Sequence, residues 1–136
     1  MIGSVVLLGG LSKVDIVQQV ADQLHVPLHH VGGIQQLAAF SVDGLVAGVL
    51  FSPALMGLPW RRALAKIRTA APAALPILCH RFSDEVEWPE MARAGVFHAL
   101  HLPFSAHEVR QSLGFVIHAR ERRKVHQIVR SSTAVA

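Results

Sequence analysis

The chain has 136 residues, 51% of them apolar and 16% charged, with a formal net charge of +4. That length suits one domain able to bury a core, and that composition excludes a disordered chain. No apolar run is long enough to predict a membrane span, and the single cysteine, Cys79, excludes an internal disulfide and fits a reducing cytoplasm.

Met1 to Leu8 is apolar without a basic lead-in or a cleavage site, which predicts a buried first strand and not a secretory leader. Gly9-Gly10 ends that strand. Ser12 and Asp15 form an S-x-x-D start signal, and Ile16, Val17, Val20, Ala21 and Leu24 follow at helical spacing. Val26 to Val31 predicts a second strand, Gln35 to Phe40 a short helix, and Leu45 to Phe51 a third strand. Trp60 to Ala70 predicts a helix with Ala63, Leu64 and Ile67 on one face and most of its basic residues on the other. Pro76 to Cys79 predicts a fourth strand, Asp84 to Ala94 a short helix capped by Gly95, and Ala99 to Leu102 a fifth strand. Ser105 caps a last helix whose apolar stripe is Val109, Leu113, Val116 and Ile117. Strands alternating with helices predict an α/β chain with a parallel sheet covered on both faces: a five-stranded, doubly wound, flavodoxin-like (βα)5 sandwich.

Charge divides the chain unevenly. Residues 110–136 carry six basic groups and one acid, a net of +5, whereas the preceding residues hold seven basic groups and eight acids. Residues 1–119 are therefore expected to form the domain and 120–136 a basic helical extension or linker. Arg120, Arg122, Arg123, Lys124 and Arg130 are either a solvated helix face or a patch for nucleic acid.

Two segments carry a resemblance. One is the apolar strand ending before Pro53, with Gly57 four residues further on. The other is Ala94-Gly95 followed by Leu102-Pro103-Phe104. Together they resemble the receiver domain of bacterial response regulators over residues 2–118. The family supplies an acidic pair after strand 1, an aspartate ending strand 3, a hydroxyl ending strand 4 and a lysine before the strand-5 proline. Carried onto this chain, the acidic pair falls on Gly9 and Gly10, the phosphate-accepting aspartate on Val49, the hydroxyl on Arg81 and the lysine on Leu102. The switch aromatic of many receivers falls on Ala99. Mg²⁺ needs oxygen ligands and phosphoryl transfer needs a nucleophile, so these replacements imply a pseudo-receiver with no catalytic residues and no cofactor. The bond before the strand-5 proline is usually cis in the family, which implies a cis Leu102–Pro103.

The resemblance further implies a two-component-type signalling protein acting by phosphorylation-independent association. Its partner would be a second copy, another signalling protein or an output domain. The expected surface comprises Trp88, Ala99, His101, Phe104, Val109, Arg110 and Leu113. Arg81 has two readings, an anion site or fixed mimic of one signalling state, and a loop arginine paired with Asp84 or Glu85. Phosphate acceptance at a non-standard residue such as Ser52 is a further alternative. Gly9-Gly10-Leu11-Ser12-Lys13 matches neither G-x-G-x-x-G nor the P-loop, so no nucleotide site is expected. The nine histidines show no zinc spacing, His98 and His101 fall on opposite strand faces, and Cys79 reads as a buried, inert thiol.

Overall fold

The structure is a computed structural model and describes residues 3–43 and 45–119. The expected extension, with Arg120, Arg122, Arg123, Lys124 and Arg130, lies outside the described residues. Ten elements have both ends described: β1 (Ser4–Leu8), α1 (Asp15–Gln23), β2 (Leu28–Val31), α2 (Ile34–Asp43), β3 (Val46–Phe51), α3 (Pro53–Met56), α4 (Trp60–Ala70), β4 (Leu75–His80), α5 (Trp88–Ala94) and β5 (His98–His101). A final helix, α6, runs from 106 to 119 within the described part.

The five strands form one parallel sheet in the order β2-β1-β3-β4-β5. This is the doubly wound, flavodoxin-like arrangement that the alternation of elements predicts. Its order reverses between β1 and β3, so the loops after those strands splay apart and open a crevice at their carboxyl ends. Continuous apolar strands require cover on both faces. On one face Val5, Leu7, Leu50, Ile77, Cys79 and Leu100 pack with Val17, Val20 and Ala21 of α1 and Val109, Leu113 and Val116 of α6. On the other, Val6, Leu8, Val49, Phe51 and Leu78 pack with Leu37 of α2, Ala63, Leu64 and Ile67 of α4, and Met91 of α5.

Most departures from the expected bounds have local causes. The second strand starts at Leu28 and not Val26, because the Val26 N–H closes the end of α1 on the Ala21 carbonyl at 2.9 Å. His25 holds the left-handed position of that cap, at φ 57°. The S-x-x-D signal does not cap α1. Val14 occupies the cap position with no side-chain bond, and Lys13, at φ 56°, turns Ser12 away from the helix. The helix expected from Asp84 starts four residues later, at Trp88. The Asp84 carboxylate instead accepts the Arg81 N–H at 2.8 Å, a bond that competes with helix. Pro89, which has no N–H, belongs in a first turn. Gly95 caps α5 as expected, at φ 110°, so a side chain there would meet a strained backbone, while the flexible Arg68 guanidinium beside it could move aside.

The fifth strand is shifted by one residue, His98–His101 against the expected Ala99–Leu102. The Leu102 N–H still reaches the His80 carbonyl at 2.7 Å before the chain leaves the sheet through a cis Leu102–Pro103 bond. Ser105 leads α6, with its Oγ 3.5 Å from the Glu108 N–H and its carbonyl accepting the Val109 N–H at 3.0 Å. Between the helices on the second face, the Trp60 indole donates to Glu87 at 3.2 Å and Arg61 pairs with Glu90 at 2.9 Å. Both contacts are exposed, where an ion pair contributes about 0–1 kcal/mol.

His98 gives the α6 side a pH dependence. Its ring points to that face, where Nδ1 contacts the fully buried Ser112 hydroxyl and the ring meets Phe115 edge-on at 5.8 Å. Burial holds its pKa below the ordinary value, and the Glu108 carboxylate opposes that in part. The folded state therefore favours the neutral ring more than the unfolded chain does. That stability is present above about pH 6.5 and is lost as pH falls through the lower folded value. Thermal melts should accordingly show a smaller acid-induced fall in Tm for His98→Gln than for the native chain. Parallel pH profiles would remove His98 as the cause.

Candidate functional site

The carboxyl ends of the strands are where this topology places a ligand. Gly9 and Gly10 follow β1, both exposed, Gly9 at φ 81°. Arg81 follows β4 and Leu102 follows β5, the first exposed and the second half-buried. These four stand at the strand ends as the resemblance implies.

Val49 does not. It pairs with Val6 on one side and Pro76 on the other, inside the sheet, and is fully buried in the second core layer. β3 continues through Leu50 to Phe51, the expected end, and the loop expected to hold Pro53 and Gly57 is instead a short helix, α3, beginning at Pro53. Counting back from Pro53 therefore stops inside the strand, and the residue at the strand end is Ser52. Its side chain is 2% exposed, and its Oγ receives the Leu55 N–H at 3.4 Å as the cap of α3.

The expected surface divides in two. Trp88 is 39% exposed, Ala99 and His101 are half-buried, and Arg110 is exposed, with its guanidinium 2.6 Å from Gln23 Oε1. Phe104, Val109 and Leu113 are buried in the first core layer and are not surface residues: Val109 and Leu113 lie on the core stripe of α6, and Phe104, in the loop before that helix, packs into the same layer. The exposed apolar group of that helix is Phe115, at 46%. β5 is an edge strand, so its outer backbone groups have no neighbouring strand. His98 faces α6, and His101 faces the other side, where its ring meets those of His80 and Phe82 edge-on at 5.3 and 6.4 Å.

Cavities open among the described residues at this end of the sheet. One, of about 390 Å³, lies among the loops after β1, β3, β4 and β5. Ser12, Lys13, Leu55, Arg81, Phe82, Ser83, Leu102 and Pro103 line it. A second, about 360 Å³, opens at the β1–β3 switch point, with Gly9, Gly10, Gly32, Gly33 and Lys66 in its wall. A third, about 330 Å³, has Asp84 and Glu85 in its wall. The Arg81 side chain does not form the ion pair with Asp84 or Glu85 expected from the sequence; Asp84 accepts the Arg81 backbone N–H instead, and among the described residues the one salt bridge is Arg61–Glu90. Among the described residues no three His, Cys, Asp or Glu side chains gather as a metal site. Cys79 is fully buried, and burial pushes its thiol far above the ordinary range despite an opposing backbone hydrogen bond at Phe51, so it is an inert core residue. No helix among the described residues is long and apolar enough to cross a membrane. Lys13, Phe82 and Ser83 carry no motif; Phe82 and Ser83 follow Arg81 in the chain, and only the convergence of two loops brings Lys13 to the same cavity.

No family model matches the chain, and no curated protein matches it. Solved structures do. A response regulator receiver domain protein (CheY-like) from Methanospirillum hungatei superposes with a TM-score of 0.71 at 11% identity, over 90% of this chain and 99% of that one. A protein described as adenylate cyclase from Rhodopirellula baltica gives 0.73 at 11% identity, over 96% and 98%. NtrX from Brucella abortus in complex with ADP gives 0.74 at 15% identity, over 98% of this chain and 30% of that one. At these identities the likeness concerns the fold, and the fold is that of a receiver.

Proposed function

We propose that this chain is a non-catalytic receiver module of a two-component-type signalling protein, working by association with a second copy or with another signalling protein. One observation carries the reading. The strand ends that hold acids, a hydroxyl and a lysine in a working receiver hold Gly9, Gly10, Ser52, Arg81 and Leu102 here. That set offers no carboxylate to a hard cation and no aspartyl nucleophile. Ser52, the one hydroxyl among them, is shielded and engaged by Leu55. The association surface proposed is the strip formed by Trp88 on α5, the open edge of β5 and Phe115 on α6; Arg110, bonded to Gln23 of α1, lies on the other flank of that helix. Partly exposed aromatic groups of this kind supply most of the energy of protein interfaces.

Light scattering after size exclusion tests the reading. The native chain is expected to be dimeric, and Phe115→Glu to be monomeric with an unchanged melting temperature. A monomeric native chain would turn the search to a different partner protein, and a dimer untouched by Phe115→Glu and Trp88→Glu would exclude this strip. Incubation with a small phosphodonor should leave the mass unchanged, and an added phosphoryl group would overturn the non-catalytic assignment.

The charge of residues 110–136 favours a second reading, nucleic-acid binding through Arg120, Arg122, Arg123, Lys124 and Arg130. Binding of that kind weakens steeply with salt, because phosphate contacts release counterions, whereas association through an apolar strip does not.

A further inference from the structure

The 390 Å³ cavity among the loops after β1, β3, β4 and β5 has a charge opposite to that of a metal-holding receiver site. Two fixed cations line it, Lys13 from the β1 side and Arg81 from the β4 side. Ser12 and Ser83 stand beside them in sequence and in the same wall. No Asp or Glu is among its lining residues, and the acids of the β4–α5 loop, Asp84 and Glu85, line a neighbouring cavity instead. Neither Lys13 nor Arg81 forms a salt bridge with a described residue.

The backbone shows how this arrangement is held. Lys13 is not a glycine, yet it sits at φ 56°, in a region that L-residues with long side chains seldom occupy. A strained residue of this kind persists where the surroundings over-determine it, and such residues cluster at ligand sites. On the opposite wall the Arg81 N–H is tied to the Asp84 carboxylate at 2.8 Å, and the Arg81 carbonyl accepts the Asp84 N–H at 3.0 Å. That turn fixes where the arginine leaves the sheet.

The rest of the cavity is apolar. Leu102 forms part of its floor, and Phe82, which is 92% exposed, stands at its rim. An aromatic ring this open to water beside two cations gives the cavity a charged end and a flat apolar lip. Its volume is in the range of small-molecule sites.

We infer that this cavity binds a small organic phosphate, with the phosphate held by Lys13, Arg81 and the hydroxyls of Ser12 and Ser83, and a planar or apolar body resting on Phe82 and Leu102. A phosphate monoester near neutral pH carries about −1.5 to −2 charges and three acceptor oxygens, which matches two cations and two hydroxyl donors better than a single carboxylate does. The guanidinium supplies a planar fork for two of those oxygens, and the ammonium a point charge for the third. Binding here is non-covalent and consumes nothing. The site is separate from the proposed association strip, so either can fail without the other.

The test is amide NMR titration of the full chain with phenyl phosphate, inorganic phosphate and phenol as probes. Phenyl phosphate is expected to move the Lys13, Arg81 and Ser83 resonances saturably, with a Kd of about 1 mM or tighter. Inorganic phosphate should bind at least about five-fold more weakly, and phenol should leave those resonances in place. Arg81→Ala and Lys13→Gly should each weaken phenyl phosphate at least about ten-fold, the worth of one charge-assisted contact. Phe82→Ala should bring its affinity down to that of inorganic phosphate. Arg81, Lys13 and Phe82 are exposed, so the variants should melt with the native chain, and relief of the left-handed lysine should leave Lys13→Gly as stable or more so. Saturable shifts that survive the Arg81→Ala, Lys13→Gly double substitution, or no shifts at about ten times that concentration, would overturn the inference.

Discussion

Replacing Val49 with aspartate is expected to unfold the domain at neutral pH, although the motif spacing places the family's aspartate at that position. Val49 is fully buried between Val6 and Pro76 in the middle of the sheet. A carboxyl group there must remain neutral, and at pH 7 holding it neutral costs about 1.4 kcal/mol for each pH unit above its ordinary pKa near 3.9. That is about 4 kcal/mol, and the lost methyl packing and an unpaired polar group add about 1–3 kcal/mol more. A domain of this size has a stability of about 5–15 kcal/mol, so most of it is consumed. The penalty should shrink as pH falls toward 4, because holding the buried carboxyl neutral then costs little at a pH close to its ordinary pKa. Ser52→Asp is the control. Ser52 is also buried, but its Oγ faces the Leu55 N–H, so a carboxylate there keeps a cap hydrogen bond that Val49→Asp lacks, and its cost should be the smaller of the two. Circular dichroism melts at pH 7 and pH 4.5 would check both. A folded Val49→Asp beside an unfolded Ser52→Asp would restore Val49 to the strand end.

Leu113→Ala is expected to lower the melting temperature by about 10–20 °C, because a fully buried leucine truncated to alanine costs about 2–5 kcal/mol. Leu113 sits with Val109, Val116 and Phe104 against Leu100 and Cys79, so the cavity opened would be enclosed. Arg110→Ala, three residues earlier on the same helix, removes one exposed hydrogen bond to Gln23 and should change stability by about 0.5 kcal/mol or less. Phe115→Glu should resemble Arg110→Ala in stability while removing association. Differential scanning calorimetry on the three variants separates the core face of α6 from its partner face. Equal melting temperatures for Leu113→Ala and Arg110→Ala would contradict the packing described.

The alternation of apolar runs with helical spacing predicts the order of elements, and Trp60–Ala70 is predicted to the residue. Its amphipathic pattern is long and uninterrupted, and a local period of 3.6 is sufficient to define it. Shorter elements are less legible because their ends depend on neighbours. Asp84 reads as a helix start, but its carboxylate binds the Arg81 backbone instead. Val26 reads as a strand residue, but its N–H closes α1. The stripe Val109, Leu113, Val116 on α6 identifies one buried face, and it excludes the same residues from the surface where the family comparison places them.

Gly9, Gly10, Arg81 and Leu102 could be named from the motifs, although the sequence ends the fourth strand one residue early, at Cys79, and places Leu102 inside the fifth. Val49 could not, because counting four residues back from Pro53 lands two residues inside a strand whose end at Phe51 the sequence itself marks. The cationic cavity was beyond sequence reading altogether. Lys13 and Arg81 are separated by most of the sheet's length in sequence, and only the parallel pairing of β1, β3 and β4 brings their loops to the same edge.

The chain's own residue pattern determines that this is a parallel α/β sandwich and that no carboxylate stands directly at the ends of β1, β3, β4 or β5, because both are properties of local runs and of residue identity. Which side chains share a cavity and which face of α6 is free were decided by the tertiary structure. Those are properties of register and of loop convergence, and they arise only when strands far apart in sequence are hydrogen-bonded side by side.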